Sequence, residues 1–228
     1  MEQDRYPLTA LDDESLALSA VLWEVDPGDF ARATNCPPWS LDELVVHIAM
    51  SIHLDDELAT AAVSPMAMAT AADYYRRPER DTPQYRQSNV DRTVEVAREV
   101  LAATSSAQWF HQVSRDSVAR LSRLDPGRPV QVQGRRPMTL ADWVTTRVMS
   151  VAAHGLDVAL TLGLPPWTTR SALDVTRTVL ISLLGTELPA ELAWDDQTLL
   201  ATGTGRRALT PAERSSLGAR QTRFPLLS

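Results

Sequence analysis

The chain of 228 residues contains no lysine, so all 22 of its basic residues are arginine and a lysine Schiff base is excluded. It has a single cysteine, Cys36, which rules out an intramolecular disulfide and any cysteine-based structural zinc site. It also has no apolar run near the roughly 20 residues needed to cross a bilayer. The opening segment, MEQDRYPLTALDDES, lacks the basic and apolar regions of a signal peptide, so a cytoplasmic protein is expected. Positive charge is in deficit as well. The formal net charge is −7, against the basic surface that carries most nucleic-acid affinity. The 44 % of hydrophobic residues is ample for an ordinary buried core.

Helix signals dominate what is present. An apolar-periodic stretch from Leu11 to Val25 ends at Asp26-Pro27-Gly28. Ser40 and Glu43 form a capping box that opens a second helix, expected to continue to about Ala62. A third runs from Ser88 towards Leu124, with a weak point at Thr104-Ser105-Ser106. The segment from Arg128 to Pro137 reads as a short extended excursion or loop. Thr139 and Asp142 cap a fourth helix, which Gly163 stops. Pro165-Pro166 separates this part (residues 1–165) from an extension (166–228). The extension holds an amphipathic helix ending at Gly185, a polar turn at Trp194-Asp195-Asp196 and a short helix begun by Thr210-Pro211. Sixty residues so poor in apolar content need the first part to pack against, and they are expected to close one end of a pocket there.

At 100° per residue, His47 lies about 60° from Leu44 and joins the apolar stripe of the second helix, whereas His53 lies opposite it. On the fourth helix His154 sits in the stripe of Val144, Val148, Val151 and Val158, and Arg147 is about 20° away. Ser150 and Asp157 flank His154 at i−4 and i+3. Two inward histidines on different helices form either a bundle-interior site or two separately satisfied core residues. Arg147 either orients a substrate carboxylate or pairs with Asp157 or a carboxylate of another helix. His53 and His111 read as surface or rim residues. Trp39, Trp143 and Trp194 read as packing, and Arg206 and Arg207 as residues of a solvated turn.

The segment from Thr34 to His47 fits T-x-C-x-x-W-[ST]-x-x-x-L-x-x-H, and Thr146 to Gly163 looks like R-x-M-E-x-x-x-H-G-x-D-x-A-x-A-L-G, with Ser150 and Thr161 departing from it. The chain thereby resembles the mycothiol-dependent maleylpyruvate isomerases of the DinB-like type over roughly residues 8–165. The tail resembles an extension of some actinobacterial relatives. The resemblance implies a mainly α, DinB-like four-helix bundle with a small C-terminal extension. It also implies an isomerase or thiol transferase that uses a divalent metal, usually zinc, with mycothiol or a similar thiol. The metal ligands it implies are His47, His154 and a glutamate, but the glutamate position holds Ser150. Three outcomes follow: Asp157 approaches the metal, two histidines and waters hold it weakly, or a metal-free cavity is left among His47, Arg147, Ser150 and His154. In the last case the catalytic set is His47, His154, Arg147 and Ser150, performing acid–base chemistry as an isomerase, cyclase or lyase. A ligand-binding relative without activity is the non-enzymatic alternative. The expected partner is a small molecule, with neither nucleic acid nor membrane, and a homodimer is expected.

Overall fold

The computed structural model describes residues 6–53, 67–76, 82–131 and 136–227. The helices are α1 (Tyr6–Trp23), α2 (Leu41–Ile52), α3 (Ala71–Tyr75), α4 (Pro83–Ala103), α5 (Ser106–Leu121), α6 (Leu140–Leu162), α7 (Arg170–Leu184), α8 (Asp196–Gly203) and α9 (Pro211–Leu217). Two two-residue strands, β1 (Pro129–Val130) and β2 (Met138–Thr139), pair antiparallel before α6. The molecule is mainly helical, as a DinB-like bundle requires. Among the described residues, no helix is long and apolar enough to cross a membrane.

The bundle is made by α1, α2, α5 and α6, each packed on two of the others. Leu11, Leu18, Leu44, Ile48, Phe110, Val148 and Val151 meet in its centre and are almost wholly shielded from water. The expected third helix is two helices. Thr104 is extended and the Ser105 side chain accepts from Gln108 N, so the Thr-Ser-Ser run caps a new helix instead of continuing the old one. Of the two, α5 enters the bundle, while α4 lies on α2 and buries only Thr93, Ala97 and Val100. The second helix ends at Ile52, with His53 extended and exposed as its cap. Its expected course to Ala62 lies outside the described residues from position 54 onwards.

Local chemistry sets the ends of α6. The Thr139 hydroxyl accepts from Asp142 N at its start, and Gly163 takes a left-handed conformation, φ +69°, at its end. Beyond it, α7 packs on both α1 and α6, and its Ala172, Val175, Val179, Leu180 and Leu183 share one continuous core with the bundle. Glu14 of α1 clamps this junction: its buried carboxylate accepts from the Thr169 backbone and hydroxyl, both at 2.8 Å. The segment read as a polar turn is a helix start. The Asp195 side chain accepts from Thr198 N and opens α8, which packs on α7.

Candidate functional site

The fold brings His47, Arg147, Ser150 and His154 to the wall of one cavity of about 470 Å³, between α2, α4, α6 and the C-terminal tail. The two imidazole rings meet edge to face with centroids 5.2 Å apart. His47 lies against the Trp39 ring, centroid to centroid 4.3 Å, and its Nδ1 shares a 3.2 Å hydrogen bond with Thr93 Oγ1 of α4. His154 Nδ1 is 2.9 Å from Asp157 Oδ2. An ionised carboxylate only accepts, so Nδ1 carries a proton and donates it to Asp157, while Nε2 is the ring nitrogen that does not meet the carboxylate.

Asp157 is fully buried and is held from three parts of the chain. Arg206 donates Nε to Oδ1 at 2.9 Å and Nη2 to Oδ2 at 2.6 Å, a two-pronged pair. Asn35 donates to Oδ1 at 2.7 Å, and the Cys36 thiol to Oδ2 at 3.2 Å. Burial by itself would raise the Asp157 carboxyl; the hydrogen bonds from His154 and Arg206 outweigh it and hold the group well below the usual carboxylate range. Burial, then the neighbouring Asp157 charge, pushes the Cys36 thiol up to about 12.

The loop between Thr34 and Trp39 gives each of these residue types a part in the site. Thr34 ties it by donating Oγ1 to Trp39 O at 2.8 Å, and Trp39 N returns to Cys36 O. That turn aims Asn35 and Cys36 at Asp157 while placing Trp39 beneath His47. Trp39 and Trp143 are buried packing residues, and Trp194 is fastened by Nε1 to Glu213 at 2.8 Å. His111 is off the site, edge-on to Trp23 at 6.0 Å.

Two arginine expectations are corrected. Arg206 is not on a solvated turn: its side chain is 18 % exposed because it reaches inward to a buried acid. Arg207 is likewise engaged, donating to Glu213 at 2.7 Å. Arg147 pairs with neither Asp157 nor another carboxylate among the described residues. It donates Nη1 to Ser51 O at 2.7 Å and Nε and Nη2 to Thr146 Oγ1, while its guanidinium lies 5.3 Å from the Tyr74 ring centre and 5.2 Å from that of Trp143. Ser150 donates to Ser51 Oγ at 3.0 Å.

The charge balance of the cavity follows. Its described lining includes Arg92, Arg147 and Arg206 and no aspartate or glutamate. Among the described residues, a divalent ion between His47 and His154 finds two neutral ligands, a neutral serine already bonded elsewhere, and nearby cations. That donor set does not fit a catalytic divalent centre, which takes three protein ligands and gains from a carboxylate among them. Cys36, His154 and Asp157 do present ligand atoms within 4.8 Å of one another. There, however, both Asp157 oxygens are occupied by donors, one of them a guanidinium, and the thiol holds its proton.

A helical bundle with a paired-histidine cavity behind a T-x-C-x-x-W turn defines the class of protein. Residues 11–159 match the family model of the mycothiol maleylpyruvate isomerase N-terminal domain. The chain belongs to that family. No curated protein and no solved structure matches it significantly.

Proposed function

We propose that this cavity is the active site of an isomerase-type enzyme acting on a small, unsaturated organic anion, with no metal ion held between the two histidines. One observation carries the reading: an imidazole fixed by a buried aspartate faces a cavity whose described lining has three arginines and no carboxylate. The family description names maleylpyruvate, a dicarboxylate with a conjugated double bond, and mycothiol. Both carboxylates of such a substrate complement the cationic lining.

A low-molecular-weight thiol, when bound, supplies a nucleophile that adds reversibly to an activated double bond and so allows it to rotate. The work of the protein is in protons and charge. His154 Nε2 accepts the thiol proton and holds it, with Asp157 fixing the ring through Nδ1 and stabilising the imidazolium. Arg147, held against Tyr74 and Trp143, binds a substrate carboxylate and faces the negative charge that develops on the conjugated carbonyl. The return of the proton from His154 regenerates the thiol. His47, oriented by Thr93, packs edge to face with His154, and Ser150 with Ser51 adds neutral hydroxyls to the wall. A cytosolic setting suits this chemistry, because thiols are kept reduced there.

The test is isomerisation of maleylpyruvate by untagged protein with mycothiol, with and without EDTA. Turnover is expected to survive chelation and to fall about 100-fold or more in His154→Ala. Loss of turnover in EDTA with recovery on added zinc overturns the metal-free mechanism. Absence of turnover under every condition overturns the substrate assignment.

A further inference from the structure

We propose that Arg206 is a positioning residue for His154, so that the segment after the family domain is part of the working site. The inference rests on the role given to His154 above. Arg206 lies 49 residues from Asp157 and well past residue 159, where the family model ends. Yet its fork supplies two of the five hydrogen bonds that the Asp157 carboxylate accepts among the described residues, and the only formal positive charge that is permanent among them. A fully buried carboxylate held on both oxygens by a planar fork has one orientation. His154 Nδ1 therefore has one acceptor position, which selects the tautomer and the ring plane. Without the fork, Asp157 keeps only the single-point contacts of Asn35, Cys36 and His154, and its carboxylate is free to turn.

The structure also accounts for how Arg206 is delivered. Its backbone N–H and that of Arg207 both donate to Ala201 O, at 2.8 and 3.0 Å, so the chain doubles back at the end of α8. Gly205, at φ +78°, makes the reversal. Arg206 Nη1 is tied to Thr204 O at 2.7 Å. The tail then straps the turn: Leu226 N and Leu227 N both donate to Gly203 O, at 2.8 and 3.0 Å, and Arg223 donates to the Leu183 and Leu184 carbonyls that end α7. Pro225, Leu226 and Leu227 stand beside Arg206 in the cavity wall. Such bracing is expected of an element that must present one side chain accurately rather than merely fill space.

The experiment is long-range ¹⁵N NMR of the histidine rings in the full chain, with the His154 signals assigned by their absence in His154→Gln. The parent is expected to show a single His154 species protonated at Nδ1. Arg206→Lys retains the cation but loses the fork, and is expected to fold and to show mixed tautomers at His154. Gly205→Ala, which strains the turn and brings Cβ to 3.4 Å from Pro225, is expected to give the same change without touching Arg206, and serves if the lysine variant does not fold. Where maleylpyruvate is turned over, kcat should fall about 10- to 100-fold in Arg206→Lys with KM little altered. A parent His154 protonated at Nε2, or a folded Arg206→Lys with the parent spectrum, overturns the inference whether or not maleylpyruvate is a substrate. Mixed tautomers in a protein that leaves maleylpyruvate untouched uphold the inference and discard only the substrate reading.

Discussion

Two of the three arginines lining the cavity differ in one respect: among the described residues Arg206 faces a carboxylate and Arg147 does not. At the His154 end a buried acid and a guanidinium neutralise each other, and the remaining hydrogen bonds orient an imidazole. At the other end a guanidinium is supported by two aromatic faces, a backbone carbonyl and a hydroxyl, none of which cancels its charge. The first arrangement spends its charge internally and fixes geometry. The second leaves charge for a ligand. The same residue type therefore serves orientation in one place and binding in the other, and the partner alone decides which.

That contrast is most severely tested by Asp157→Ala. It leaves Arg206 buried opposite nothing, which costs about 3–5 kcal/mol. For a chain of this size the melting temperature should fall by about 10 °C. Arg147→Met breaks no ion pair among the described residues and should cost under about 2 kcal/mol by the same melts. Equal losses in the two variants would show that the two ends are not different in kind. Acid adds a second view of the same carboxylate. The Asp157 carboxyl is depressed in the folded state, so its stabilisation is complete above the unfolded carboxylate value of about 4 and is lost as pH falls through its lower folded value. The stability gap between the parent and Asp157→Asn should accordingly be constant from about pH 5 to 7 and shrink in strong acid.

Ligand affinity should reverse the ranking. Arg147→Met removes a cation that no described carboxylate cancels, and binding of a small dicarboxylate, read by titration calorimetry, is expected to weaken about 10- to 100-fold. Smaller in effect is Ser150→Glu. It places a carboxylate one turn from His154 and should raise zinc affinity about tenfold or more. An unchanged zinc affinity would show that the serine site does not face the two histidines' shared space.

The same contrast separates what was legible in the sequence from what was not. Ser40, Thr139 and Thr210 announce helix starts because a cap is chosen by residues three positions away. Helical periodicity on α2 and α6 turns His47, Arg147 and His154 inward, with Ser150 beside His154, but leaves open whether they share a site; the structure brings all four to one cavity. Arg206 could not be placed so, since its meaning depends on an acid 49 residues away, and a run of Gly-Thr-Gly-Arg-Arg looks solvated until that partner is known. Asp195 likewise looks like turn chemistry in the sequence, where in the structure it caps α8, because a capping aspartate and a turn aspartate use the same local hydrogen bond. Family motifs marked Thr34, Cys36 and Trp39, while only the fold explains them as a turn that serves Asp157 and His47.

Cys36 gives the smallest expected effect and a sharp discrimination. Its thiol is one of five donor atoms on the Asp157 carboxylate among the described residues, at 3.2 Å the longest, and a serine hydroxyl keeps a donor there. Cys36→Ser should therefore change stability by less than about 1 kcal/mol and leave turnover within about twofold. With the thiol pushed up to about 12, the parent should also resist alkylation by iodoacetamide at pH 8 while folded and react fully once denatured. The alternative is a metal centre built from Cys36, His154 and Asp157. In that case the serine variant would lose bound metal and activity together, because a hydroxyl does not replace a thiolate ligand. A near-silent substitution thus assigns the cluster to orientation, in keeping with the Arg206 end of the cavity, and a damaging one would make it the reactive centre itself.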